Sequence, residues 1–188
     1  MPGKFAPSLA TTAANNSLRV VATAALAVMI GLAPIAEATV LKGLTLSGLR
    51  SGAELVVEGR VTKVRTEMRD GRIETIAVVR VGSVHKGEAS RRIEVRMLGG
   101  RHRGMNMVVP GAARMSKGDD VLLFLYGSAD AWRPVGMFQG VWQVDSDGVT
   151  ARASHSGGAT LMRPDNGDPA VDRAELPVSR LVGQGGAR

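Results

Sequence analysis

From Leu55 the chain alternates between apolar and polar side chains. Leu55, Val57, Gly59 and Val61 fall on one side and Val56, Glu58, Arg60 and Thr62 on the other, the period of a half-buried strand. Asp70-Gly71 separates this run from a second, "IETIAVVRVGSVH", and Asp-Gly between two such runs predicts a tight hairpin. The second strand ends at Lys86-Gly87. A third, "RRIEVRML", places Ile93, Val95 and Met97 on one face and Glu94 and Arg96 on the other. Ahead of these strands, "LTLSGLRSGA" carries Leu46 and Leu49 in helical register behind Thr45, which predicts one short helix with Thr45 as its N-cap.

The third strand runs into "GGRHRGMNMVVPG", residues 99–111. There Gly99, Gly100 and Gly104 are expected to let the chain cross the end of the sheet, and Met105, Met107 and Val109 alternate as if entering another strand that Pro110 closes. "SKGDD" then reads as a turn and "VLLFLYG" as a fully buried strand, too short for a helix. "WRPVGMFQG" is its expected hairpin partner through "GSADA", and "VWQV", "DSDG" and "VTA" make a last small hairpin. From Arg152 no period is sustained, so residues 152–188 read as a mobile C-terminal tail, in which "LPVSRLVG" has the pattern to dock as a strand or a helical turn. The expected fold class is all-β with one short N-terminal helix, a small antiparallel OB-type β-barrel over residues 39–151.

The N-terminal residues follow a different logic. Lys4 and Arg19 precede an apolar run from Val20 to Ala36, which ends in the small-residue triplet Ala36-Glu37-Ala38. This is the pattern of an export signal over residues 1–38, cleaved between Ala38 and Thr39. A membrane anchor needs about 20 unbroken apolar residues, whereas this run is shorter and carries Gly31 and Pro34. The expected location is therefore periplasmic or extracellular, with no transmembrane anchor in the mature form. The full chain carries a net charge of +7, and removing Lys4, Arg19 and Glu37 lowers it by one. A basic exported chain favours acidic partners, here an acidic protein or an anionic envelope polymer. It has no cysteine, which excludes disulfides, thiol catalysis and thiolate metal sites.

The order of small and apolar residues adds a resemblance. Gly59-x-Val61, Val84-x-Lys86-Gly87, Gly99-Gly100 with Gly104, Val109-Pro110-Gly111, Gly118 before "VLLFL", Val135-Gly136 and Gln139-Gly140 together resemble a group of uncharacterised exported bacterial proteins. The resemblance covers residues 44–144 and implies a five-stranded OB-type barrel. It is similar, more distantly, to the netrin-like domains of tissue inhibitors of metalloproteases. In those inhibitors the activity belongs to an N-terminal cysteine that chelates the protease metal. Here the expected first residue is Thr39, so nothing at the inhibitory position carries over.

The candidate chemistries narrow quickly. A phosphate cradle needs glycines that open a helix, whereas these lie between strands. Gly59, Gly71, Gly87, Gly99, Gly100, Gly104, Gly118 and Gly140 are read as structural turn or bend positions. His85, His102 and His155 do not fall at ligand spacing, and Arg101 and Arg103 flank His102 with charge that opposes a cation. No metal or cofactor is expected. No Gly-x-Ser-x-Gly elbow is present, so the chain is read as non-enzymatic. Single-stranded nucleic acid would need stacking aromatics beside the basic residues, and Phe124, Tyr126, Trp132, Phe138 and Trp142 are placed as core instead. The expected contact surface is the basic third strand and the loop after it: Arg91, Arg92, Arg96, Arg101, His102 and Arg103. The alternatives are a hydrolase or metal-dependent enzyme on the same barrel, with its site near His102, or a binder of single-stranded nucleic acid.

Overall fold

In a computed structural model the described residues are 40–128, 131–153, 160–162 and 175–183. The chain divides into two units, Met1–Glu37 and Ala38–Arg188, and only the second falls within the described residues. The expected export signal and its cleavage point at Ala38 and Thr39 lie outside them.

Strand β1 (Val40–Lys42) leads into helix α1 (Leu46–Gly52). Thr45 caps that helix, its Oγ1 accepting the Gly48 N–H at 3.1 Å, and Leu49 is buried beneath it. Strands β2 (Leu55–Arg69) and β3 (Arg72–Lys86) form a long antiparallel hairpin. Its two-residue turn has Asp70 at φ 49° and Gly71 at φ 74°, both left-handed, which is why Asp-Gly suits the position. Strand β4 (Arg92–Leu98) pairs with β3 and alternates as its sequence requires, with Ile93, Val95 and Met97 buried.

Residues 99–111 do not enter a further strand of the main sheet. They form a separate small hairpin, β5 (Gly100–His102) with β6 (Met105–Met107). Strand β7 (Asp120–Tyr126) is buried from Val121 to Leu125, as its apolar run predicts. Its expected hairpin partner is cut to β8 (Arg133–Pro134), because Pro134 has no N–H to continue a ladder and the chain turns at Gly136 into a 3-10 turn, Met137–Gly140. Gly140 allows a close approach there: a Cβ would stand 2.6 Å from the Val135 carbonyl oxygen and 2.8 Å from that of Phe124. Strand β9 (Val141–Val144) and β10 (Thr150–Ala153) make the last expected hairpin.

The boundary expected between residues 151 and 152 falls inside β10. Beyond it, β11 (Thr160–Met162) pairs with β1, and β12 (Glu175–Pro177) pairs with β10 before a helical turn, α2 (Val178–Val182). "LPVSRLVG" therefore docks as both a strand and a helical turn. Among the described residues of the expected tail, β12 adds to the open edge of β10, and Leu181 is completely covered by an apolar cluster.

The main sheet runs β12-β10-β9-β7-β2-β3-β4, with β8 beside β7. It is antiparallel throughout its main ladders and it is not closed. Strand β4 meets the segment before β8 through a single bridge, Val95 to Trp132, and the Arg96 N–H donates to the Trp132 carbonyl at 2.8 Å. The all-β class therefore stands, and a closed barrel does not. One apolar cluster fills the inner face, with Val57, Val61, Val79, Ile93, Val95 and Phe138. A second lies across β2 and β7, where Val56, Leu122, Phe124 and Trp142 meet Leu49 and Leu181.

Candidate binding face

The outer face of β2, β3 and β4 carries the charge. Register sets it out in rows, since residues directly opposite on neighbouring strands share a face. Arg60 stands opposite Arg80 and Arg80 opposite Arg92; two rows further on, Arg65, Ile76 and Arg96 align, followed by Glu67, Glu74 and Leu98. Val61, Val79 and Ile93, one residue away from the arginine row, point into the inner core. The three arginines therefore project outward together.

Of the six residues expected to form one basic patch, the structure brings only Arg92 to this row, while its neighbour Arg91 stands opposite Val81 on the alternate face. Both are exposed, and the Arg91 carbonyl accepts the Val81 N–H at 3.0 Å. Arg96 is a correction: its side chain is only 11% exposed and serves an internal ion cluster. Its Nη1 donates to Glu67 at 2.5 Å and to Glu74 at 3.2 Å, and Nη2 lies 3.7 Å from Glu94. Arg65 grips both oxygens of Glu94, at 2.8 and 2.9 Å, and Arg133 reaches Glu74 at 2.7 Å. Burial alone would raise the Glu74 carboxyl, but hydrogen bonds and charge from Arg133 and Arg96 outweigh it and hold the group below the ordinary carboxylate range. The hydrogen bond to Glu67, with Glu74 adding to it, raises Arg96 further against the opposing effect of burial. Arg96 is thus a structural cation held through its two Nη groups, with Nε buried and without a hydrogen-bond partner among the described residues.

Arg101, His102 and Arg103 lie elsewhere again. The β5–β6 hairpin packs against the far end of the β2–β3 hairpin, where the Thr66 hydroxyl donates to the Arg101 carbonyl at 2.8 Å. Thr66 pairs with Thr75, five residues along β3 from Arg80. At about 3.4 Å per residue this is a separation of about 17 Å, and the hairpin sits over the inner face. The expected patch is therefore split between two ends and two faces of the sheet.

Two members of the arginine row, Arg60 and Arg80, had no signal of their own in the sequence. Arg60 is paired with Asp120 at 3.0 Å, a half-exposed contact worth little in water. Among the described residues, Arg80 and Arg92 have no ion-pair partner. Gly59 brings the strands together beside them, since a Cβ there would collide with the Arg80 carbonyl oxygen. A shallow groove of about 290 Å³ opens next to the row, lined in part by Arg60, Arg80, Ser83 and Asp145. His85 is held by Glu58, Nε2 to Oε1, at 2.5 Å. The aromatics do not form a stacking platform: Phe124, Phe138 and Trp142 are fully buried, Trp132 is 8% exposed, and Tyr126 alone is open. No helix among the described residues is long and apolar enough to cross a membrane. No family model matches the chain, and no curated protein matches it.

Proposed function

We propose that the chain is an exported, non-enzymatic binding module, built on a partly open OB-type barrel, that holds an anionic envelope polymer or an acidic protein against the outer face of β2, β3 and β4. The observation that carries this reading is the row Arg60–Arg80–Arg92. Like charges placed directly opposite one another across a sheet oppose folding. A row of three guanidinium groups, two of them without a carboxylate, makes physical sense when an anion comes to lie across it. Guanidinium suits that role because its planar donors meet carboxylate, sulfate or phosphate oxygens in pairs. Export is supported by the apolar run from Val20 to Ala36 and the small-residue triplet Ala36-Glu37-Ala38 that ends it.

The test is retention of the full chain on a sulfated polysaccharide matrix as salt is raised. Wild-type retention is expected to fall steeply with salt, and Arg80→Ser with Arg92→Ser to elute clearly earlier, while Arg101→Ala changes elution less. Elution of the double variant at the wild-type salt concentration would refute the arginine row as the contact.

A further inference from the structure

We propose that the β5–β6 hairpin and the adjoining end of β2 form a site for a soft monovalent metal cation, Cu(I) by its donor chemistry, with His102, Met105 and Met68 as donors. This goes beyond the binding face described above and is independent of it.

The hairpin turns through Arg103 at φ 47° and Gly104 at φ 83°, so His102 and Met105 are the residues directly opposite each other at its tip. Such a pair has its Cβ atoms about 4.5–5.5 Å apart on one face. Met107, two residues beyond Met105, shares that face, whereas Arg101 pairs with Asn106 on the other. Alternation turns Arg101 to the opposite side, Arg103 occupies the turn itself, and the thioethers carry no charge.

The His–Met face is turned toward the β2–β3 sheet. A Cβ on Gly100, which shares it, would meet Thr75, Thr66 and Ile73. The Ile73 N–H donates to Met107 Sδ at 3.4 Å. Met68 pairs with Ile73 and lies on the same sheet face as Thr66, two residues further along β2. Met68 is 41% exposed and Met105 49% exposed, so two thioethers on either side of this junction remain open to solvent.

His102 is held as a metal-binding imidazole is held. Its Nδ1 lies 3.1 Å from the Thr66 carbonyl oxygen, which only accepts, so Nδ1 is the donor there and Nε2 is the ring nitrogen left to meet a metal. Thioether and imidazole donors select Cu(I) over hard divalent cations, which want oxygen. In a chain without cysteine, methionine is the one soft sulfur donor available. Among the described residues no three histidine or carboxylate side chains gather as a metal site, so the donor set here is of a different kind.

The experiment titrates the full chain with Cu(I), under anaerobic reducing conditions, against a chromophoric Cu(I) chelator, with Ag(I) as a redox-inert probe of the methionine methyl resonances. The expected result is about one equivalent of cation, shifts at the Met68 and Met105 methyls, and a loss of about tenfold or more in affinity for Met105→Leu and for His102→Ala. Arg101→Ala is expected to leave the affinity unchanged, and Mg(II) not to compete. Leucine conserves the volume of a half-exposed side chain, and an unchanged thermal midpoint for Met105→Leu separates loss of a donor from loss of fold. Failure of the chain to hold Cu(I) against the chelator would overturn the site. So would an affinity that neither variant alters, because the cation would then sit on other methionines.

Discussion

Replacing Glu74 by glutamine probes the ion cluster at its centre. The carboxylate is 5% exposed and takes hydrogen bonds from two strands, Arg133 Nη2 at 2.7 Å and Arg96 Nη1 at 3.2 Å. In Glu74→Gln one of the two oxygens becomes an amide nitrogen that presents its hydrogens to a guanidinium, so at least one contact is lost. Removing one partner of a buried ion pair costs about 3–5 kcal/mol when nothing compensates. Here Arg96 retains Glu67 and Glu94, and Arg133 is one-third exposed and can turn to water. The expected loss is therefore about 2 kcal/mol near neutral pH, the range of a single hydrogen bond to a charged group. Urea unfolding followed by the fluorescence of the buried Trp132 and Trp142 measures it. The sign with pH follows from the carboxyl being held below its ordinary value of 4.5 by the two arginines. A depressed folded-state pKa stabilises the fold above the unfolded-state value and loses that contribution as the pH falls through the folded one. The gap between wild type and variant should thus narrow as the solution is acidified below 4.5. A gap that is the same in acid as at neutrality, or one below about 0.5 kcal/mol throughout, would refute the account of the cluster.

Three further outcomes are expected. Gly140→Ala forces a Cβ to within 2.6–2.8 Å of backbone atoms of Val135 and Phe124 and should destabilise by about 2–3 kcal/mol, whereas Gly104→Ala, with nothing within 4 Å, carries only the strain of its φ of 83°; paired thermal melts decide this. Leu181→Ala, which empties a fully buried position between α2 and Leu49, should cost about 2–3 kcal/mol by urea unfolding, and a loss near zero would mean that the C-terminal helical turn does not dock. Arg80→Thr relieves like-charge opposition on both sides, so it should raise stability in anion-free buffer by a few tenths of a kcal/mol while weakening retention on a polyanion; a variant that is destabilised and still retained would contradict the row as a strained anion site.

Much of the sheet was legible from local pattern. The alternation of Ile93, Val95 and Met97 with Glu94 and Arg96 assigns β4 its two faces, because a strand turns successive side chains to opposite sides whatever it packs against. Asp70-Gly71 specifies its turn in the same local way, through backbone angles that few other pairs adopt. Alternation says which face a residue takes, but not which residue stands opposite. Register depends on the irregularities between Val56 and Val57, Glu58 and Gly59, and Val61 and Lys63, and one-residue shifts of this kind leave no mark in hydropathy. For that reason Arg96, which reads like its basic neighbours, turns out to be the partner of Glu67 and Glu74, while Arg60 and Arg80, far apart in sequence from Arg92, line up beside it. For residues 175–183 the pattern of "LPVSRLVG" offered a docking element but not its place, which depends on an open edge at β10 and on a second apolar cluster that exists only once α1, β2 and β7 are assembled. The sequence by itself therefore determined the strands, their faces and their turns, which are short-range matters of steric preference and period. Only the tertiary structure decided which charges are neutralised and which are left facing outward, because that depends on pairing between residues the chain holds far apart.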